Sequence, residues 1–323
     1  MSRTVSAAKA AAVTEEIREI EITEADFEPV PESERDTDII VRPSVSYWKD
    51  AFRRITHDRV AMVSLAFIAV IVLLAVFAPL FSRFQYETND LASSNLPPSA
   101  EHWFGTDTLG RDLWARVWVG ARISLIVGLF GAIVPQALGI VIGGIAGYFG
   151  GWVDMVIMRI IDVGVCIPEL IYITLIMLYL GSGPLPLILA FAMVGWMGSA
   201  RMIRGRIMQF KNREFVLASK SLGGTPFHLI FRSIFPNILG QQVVSLTASI
   251  PGAIFMEAYL SFIGLGIQSP LTSWGQLSQV GAGNYRLHPY QLFIPGILIS
   301  LTILALYLFG NSLRDALDPH LRD

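Results

Sequence analysis

The chain has 323 residues, 53% of them hydrophobic and only 15% charged, and its mean hydropathy of +0.54 lies far from the balance of a water-soluble domain. A membrane protein is expected, with no nucleic-acid partner. The formal net charge of −2 hides two regions, because residues 15–38 are crowded with acids while the hydrophobic remainder carries most of the arginines.

Residues 1–43 have no apolar core of the kind a secretory signal needs, so the first hydrophobic run is expected to stay in the mature protein. Their alternating acids and few aromatics predict a disordered acidic tail over 1–45. Crossing about 30 Å of hydrocarbon takes about 20 apolar residues as a helix. Six stretches qualify: about Val60 to Phe81, Ile123 to Tyr148, Met155 to Leu180, Leu185 to Met202, Gln241 to Ile267 and Leu292 to Asn311. The predicted class is therefore an all-α polytopic membrane protein with six transmembrane helices.

Between the first two spans, residues 82–122 are too polar to face lipid. They end in a segment where Trp114 and Trp118 stand one helical turn apart among Arg111, Arg116 and Arg122. A helix lying on the membrane surface is expected there, with indoles at headgroup level and arginines reaching water. The second span carries Gly139, Gly143 and Gly147 at intervals of four, a face stripped of side chains that lets another helix approach closely.

Ionisable groups inside spans cost roughly 2.5–3.5 kcal/mol at a helix centre and usually face protein or water. Arg159 and Asp162, three positions apart, are expected to pair with each other. Glu169 and Glu257 have no evident local partner. At 1.5 Å per residue they sit at similar depth, roughly 21 Å above Met155 and roughly 24 Å above Gln241. Either they line a water-accessible path and meet a cationic group on the cargo, or they bridge helices near Pro168 and Pro251. The single cysteine, Cys166, lies in an apolar run and reads as a buried spectator thiol, with no disulfide or metal cluster to join.

Lysine and arginine collect on one side: Arg204, Arg206, Lys211, Arg213, Lys220 and Arg232 between the fourth and fifth spans, and Lys49, Arg53, Arg54 and Arg59 before the first. This bias places both termini and the 202–240 loop in the cytoplasm. Within that loop, residues 214–237 combine good helix formers, a Gly223-Gly224 break, Pro226 at a first helical position, and Phe227, Ile230 and Phe231 in one period. Two short helices joined by a turn are expected.

The spacing of Ala218-Ser219, Gly223 and Pro236 resembles the coupling loop of ABC importer permeases, where a short helix docks on a cytoplasmic ATPase. From about Tyr47 onward the chain is similar to the C-type permease subunit of dipeptide and oligopeptide import systems, a group with nickel-importing relatives. The likeness is carried by His102-Trp-Phe-Gly-Thr-Asp107 with Gly110-Arg111-Asp112, Gly120-Ala-Arg-Ile-Ser-Leu125, and Gly147-Tyr-Phe-Gly-Gly-Trp-Val-Asp154. It continues in Glu257-Ala-Tyr-Leu-Ser-Phe-Ile-Gly-Leu-Gly266, Ser273-Trp-Gly275 and Leu313-Arg-Asp-Ala-Leu-Asp-Pro319. Leu217 departs from the glutamate that begins the coupling motif in other importers, Asn311 from a frequent aspartate, and Ser233 from a frequent histidine.

The resemblance implies the type I importer transmembrane fold. It divides the chain into a tail (1–45), a first span with its outer loop (46–119), a transmembrane domain (120–312) and a cytoplasmic end (313–323). It implies ATPase coupling through Glu214, Ala218, Ser219, Gly223, Pro226 and Pro236. It further implies a homologous second permease subunit, two ATP-binding subunits that hold ATP and Mg, and an extracytoplasmic solute-binding protein, in the cytoplasmic membrane. No Gly-rich phosphate loop with Lys-Ser or Lys-Thr occurs here, so no cofactor is expected in this chain. A secondary transporter would need an internal inverted repeat, which is not seen. An intramembrane hydrolase would need a base beside its nucleophile, and no histidine lies in a predicted span. Peptides, nickel complexes and other small solutes stay open as cargo.

Overall fold

The computed structural model describes residues 47–317; the acidic segment 1–45 and residues 318–323, including Pro319, lie outside them. A first helix, α1 (Tyr47–His57), precedes α2 (Arg59–Phe77), which closes in a 3₁₀ turn at Ala78–Leu80. Asp58 caps α2 by accepting from the Val60 amide at 2.8 Å. The Ser312 hydroxyl, followed by that amide, holds the Asp58 carboxyl below the usual carboxylate range. The remaining helices are α3 (Leu113–Phe149), α4 (Gly151–Val165), α5 (Glu169–Leu180), α6 (Pro184–Phe210), α7 (Glu214–Ser221), α8 (Pro226–Phe262), α9 (Trp274–Asn284) and α10 (Tyr290–Leu317). Among the described residues the only β-type pairing is an isolated bridge between Thr106 and Asp112.

Five helices, α2, α3, α6, α8 and α10, are long and apolar enough to cross a membrane, and the pair α4 and α5 makes a sixth crossing if its two halves count as one. Here the expected straight third span is corrected. The chain turns by 85° between Val165 and Glu169. Pro168 has no N–H to continue the ladder and disfavours the helical region for Ile167, so Cys166 and Ile167 close short turns onto Val163 and Gly164 and the helix restarts at Glu169. A depth for Glu169 counted at helical rise from Met155 therefore does not hold.

The predicted surface helix over 111–122 is also corrected. Asp112 caps α3 by accepting from the Ala115 amide at 2.8 Å, and the helix then runs unbroken to Phe149. Arg116 and Trp118 are buried in protein instead of sitting at a headgroup layer. The division drawn at 119/120 accordingly falls inside α3, and the one at 312/313 inside α10.

The core is organised around α3 and α6, the most extensive pairing in the molecule. Gly139, Gly143 and Gly147 form its seam. A Cβ on Gly143 would collide with the Ala200 carbonyl, one on Gly139 with Ser199, and one on Gly147 would lie 2.8 Å from the Arg204 carbonyl oxygen. The backbones touch because the glycines have nothing to interpose. α8 lies against α3 and α10, while α2 packs on α10 and α3. Its outward face, with Val63, Val70, Leu73 and Val76, carries the large apolar residues suited to lipid.

At the end of the bundle where α3 begins, residues 82–112 fold into a cap that α10 and α9 hold in place. Tyr290 donates its hydroxyl to the Leu96 carbonyl at 2.8 Å, and the Gln291 amide donates to Thr106 O and Asn95 Oδ1, each at 2.9 Å. α9 was not anticipated from sequence. It is only 11 residues long, starts on a Ser273 cap and buries Trp274, whose indole donates to the Val117 carbonyl at 3.0 Å.

Candidate functional site

Three groups of residues could carry function, and they lie at different heights along the bundle. Beneath the cap is a buried charge cluster that sequence reading had scattered over a loop. Asp107 accepts from the Leu109 and Arg111 amides and from Arg111 Nε at 2.8 Å, and stands 3.5 Å from Arg116. Arg116 also donates to Gln276 of α9 at 3.1 Å. Asp112 pairs with His102 at 2.9 Å while capping α3. The HWFGTD and GRD motifs are thus a folding device that locks the cap to α3 and α9.

Replacing Asp107 by asparagine leaves Arg111 and Arg116, 6% and 0% exposed, without their counter-charge. A loss of about 3–5 kcal/mol is expected. It would be read as a lower unfolding midpoint of the purified protein in detergent; an unchanged midpoint would refute the cluster.

Mid-bundle, Glu257 is fully buried. It accepts from Ser124 of α3 at 2.7 Å and from Ser261, one turn on, at 2.8 Å. The expectation that it lacks a local partner is corrected, and its place is that of a bridge between α3 and α8. Glu169 is placed differently. It opens α5 and lines a cavity of about 210 Å³ with Gln136, Ser199, Ser249, Gly252 and Met256. Gln136 donates to Gln242 at 2.7 Å and accepts from Ser199 at 3.3 Å, so α3, α6 and α8 share a polar seam beside this cavity. The two carboxylates therefore do not share one site.

Arg159 and Asp162 are exposed and 3.9 Å apart, and Asp162 has a shorter partner in Arg201 at 2.8 Å. Cys166 is exposed, not buried, and lies at the bend between α4 and α5. Arg204, which had counted only as a topology charge, pairs with Asp154 and ties α6 to α4, while Lys211 donates to the Gly147 carbonyl at 3.2 Å.

At the end opposite the cap, α7 and the start of α8 form the third group. Val216 buries itself against Ile203, Ile207, Leu229, Ile230 and Ile234. α7 ends where Gly223 takes φ +85°, which a side chain would strain, and the Gly224 amide donates back to Ser219 at 3.0 Å. Thr225 then caps the next helix through the His228 amide, with Pro226 at its first position. The second of the two predicted short helices is corrected: it continues through a π-helical turn, Leu229–Ile234, directly into the spanning rod of α8. Pro236 lies just past that π-helical turn and is exposed, as are Glu214, Ala218, Gly223 and Pro226; Ser219 is half-buried. Leu222, which sequence reading missed, and Phe227, which it placed on an apolar face, are 90% and 71% exposed. Their signal was an apolar residue on each side of the double-glycine break.

Large apolar side chains left exposed on a polar end of a helical bundle are a common feature of interaction surfaces. The comparisons agree with a transport class. A family model described as "binding-protein-dependent transport system inner membrane component" matches residues 139–323, and one described as "N-terminal TM domain of oligopeptide transport permease C" matches residues 46–98. The chain is 43% identical over 296 residues to the oligopeptide transport system permease protein OppC of Bacillus subtilis, covering 92% of this chain and 97% of that one. It is 44% identical over 292 residues to the dipeptide transport system permease protein DppC of the same organism, covering 90% and 91%. The Escherichia coli K12 OppC protein is 39% identical over 276 residues, covering 85% and 91%. This chain belongs to the family of inner-membrane components of binding-protein-dependent transport systems.

Proposed function

We propose that the chain is one permease subunit of an ATP-driven importer that brings dipeptides or oligopeptides across the cytoplasmic membrane. The observation that carries this reading is near-full-length identity of 43–44% to permease proteins of oligopeptide and dipeptide transport systems. The chain itself performs no chemistry. Two cytoplasmic ATP-binding subunits hold ATP and Mg, a similar second permease subunit completes the pore, and an external binding protein delivers cargo at the cap. Both termini and the α6–α8 loop face the cytoplasm, where the lysines and arginines of 202–240 gather.

What supports coupling through Glu214, Ala218, Ser219, Gly223, Pro226 and Pro236 is stiffness. α7 is anchored by Val216 and α8 runs without a break from Pro226 into the membrane, so a push on this loop moves a whole spanning helix as a rigid body. Glu169, in its cavity, is the candidate contact for a peptide amino terminus. In reconstituted transporter, Glu169→Gln is expected to lower import of a free-amine dipeptide at least about 10-fold, the scale of one charge-assisted contact, while an N-acetylated peptide is less affected. Equal import of both peptides by variant and wild type would remove Glu169 from the path. Failure of every peptide alongside uptake of a nickel complex would overturn the cargo.

A further inference from the structure

α3 runs from Leu113 to Phe149 although Pro135 lies in its interior. Proline has no N–H, so the Gly131 carbonyl, four residues back, loses the donor that a helix ordinarily gives it. A spanning helix tolerates such a gap where a neighbouring side chain, water or another group supplies a donor instead. No side chain of the described residues donates to Gly131. Gly131 and Pro135 both line the cavity of Glu169, so the unmatched carbonyl belongs to that cavity's wall.

The other polar groups of the cavity have spent most of their hydrogens elsewhere. Ser199 donates its hydroxyl to Gln136 at 3.3 Å, Ser249 donates to the Ser245 carbonyl at 2.8 Å, and one Gln136 amide hydrogen goes to Gln242 at 2.7 Å. Among the lining side chains only the second amide hydrogen of Gln136 is left to donate. Acceptors remain in excess: the two serine oxygens, the Gly131 carbonyl and the Glu169 carboxylate. Glu169 has no ion-pair or hydrogen-bond partner among the described residues. Such a set suits a primary ammonium, which brings one positive charge and three N–H donors. A cation without N–H groups would satisfy Glu169 and leave the neutral acceptors unmatched, and an unmatched buried acceptor is costly.

Resting on the peptide-importer reading, we propose that this cavity recognises the cargo's amino terminus by its N–H groups as well as its charge. Glu169 takes the charge and one hydrogen, and the Gly131 carbonyl, released by Pro135, takes another. Pro135 is thus a positioning residue that touches no cargo hydrogen itself. The cavity favours a free amino terminus over one that is equally charged but methylated.

The test supplies the assembled transporter in proteoliposomes with one lysine-free tripeptide whose amino terminus is free, N,N-dimethylated or N-acetylated. The dimethyl form is smaller than the acetyl form, keeps the charge and retains one N–H. Wild type is expected to import the free form at least about 5-fold better than the dimethyl form, the scale of a hydrogen bond to a charged donor. Pro135→Ala returns an N–H to the Gly131 carbonyl and is expected to lower that ratio at least about 3-fold, by slowing the free form alone. Pro251→Ala makes the same backbone change in α8, where the Thr247 carbonyl does not line the cavity, and is expected to keep the wild-type ratio. A wild-type ratio near one overturns the proposal without any variant having to fold. So does a Pro135→Ala protein in which both forms fall together, or a Pro251→Ala protein whose ratio drops as far. Wild type that rejects the acetyl form but takes the free and dimethyl forms alike leaves the Glu169 contact standing and removes only the Gly131 acceptor. Equal import of all three forms removes the amino-terminal contact itself.

Discussion

Gly143→Ala is expected to destabilise the protein by about 2 kcal/mol or more, whereas Gly144→Ala, one residue on, is expected to be neutral or mildly stabilising. Alanine is ordinarily the better helix residue by roughly 0.5–1 kcal/mol, so the unopposed effect at both positions favours the substitution. At Gly144 the new methyl meets only the Ile230 side chain at 3.7 Å, an ordinary contact. At Gly143 it meets the backbone of Ala200, which cannot rotate aside. Forcing α3 and α6 apart opens the most extensive helix contact in the molecule, and overpacking of this kind costs about 1–3 kcal/mol or more. Gly143→Leu should prevent a folded subunit from accumulating. Unfolding midpoints of the purified variants in one detergent check this: a Gly143→Ala protein as stable as Gly144→Ala would mean that the two helices do not meet at this seam.

The second large effect lies at the other functional end. Under the proposed function, Leu222→Asp and Phe227→Ala should each weaken association with the proposed ATP-binding subunits by about 2 kcal/mol, roughly 30-fold, as expected for an apolar anchor at a protein interface. Both should leave the stability of the isolated subunit, read as its unfolding midpoint, within about 0.5–1 kcal/mol of wild type, because both side chains are mostly exposed and Phe227 touches only the edge of the core through Phe231. Val216→Asp is the contrasting case, since Val216 is 2% exposed and its change should unseat α7 itself. Copurification of the ATP-binding subunits, with import measured in parallel, separates these outcomes. Undiminished copurification of the Leu222→Asp, Phe227→Ala double variant would show that docking occurs elsewhere.

These expectations draw unequally on sequence and structure. Long apolar runs announced α2, α3, α6, α8 and α10, because a helix that crosses lipid must satisfy its backbone internally and cover itself with apolar side chains whatever its neighbours are. The glycine seam was visible as a spacing, although its partner was not. The 214–237 segment was legible as a basic, amphipathic interruption, and the ordered set of motifs along the chain carried the resemblance to the family. By contrast, α9 is too short and too mixed in composition to be told from a loop, and it is helical because Ser273 caps it and Trp274 is seated beneath the cap. Pro168 was a readable stop signal, but its 85° consequence depends on where α5 finds packing against α6.

Charge separates the two levels most clearly. Sequence by itself determined that this is an α-helical membrane protein, where its five long apolar helices run, and which loops are basic, since each of these follows from local composition. Only the tertiary structure decided what the individual charges do. Glu257 and Glu169 look alike in sequence, two lone carboxylates in apolar helices, yet one is closed between Ser124 and Ser261 and the other opens on a cavity. Arg116 is settled in the same way, drawn toward Asp107 and Gln276 beneath the cap. A charge in a membrane protein is defined by its nearest polar neighbours, because hydrocarbon offers it nothing else. Some of those neighbours, such as Ser124 for Glu257 and Gln276 for Arg116, come from helices more than a hundred residues away in the chain.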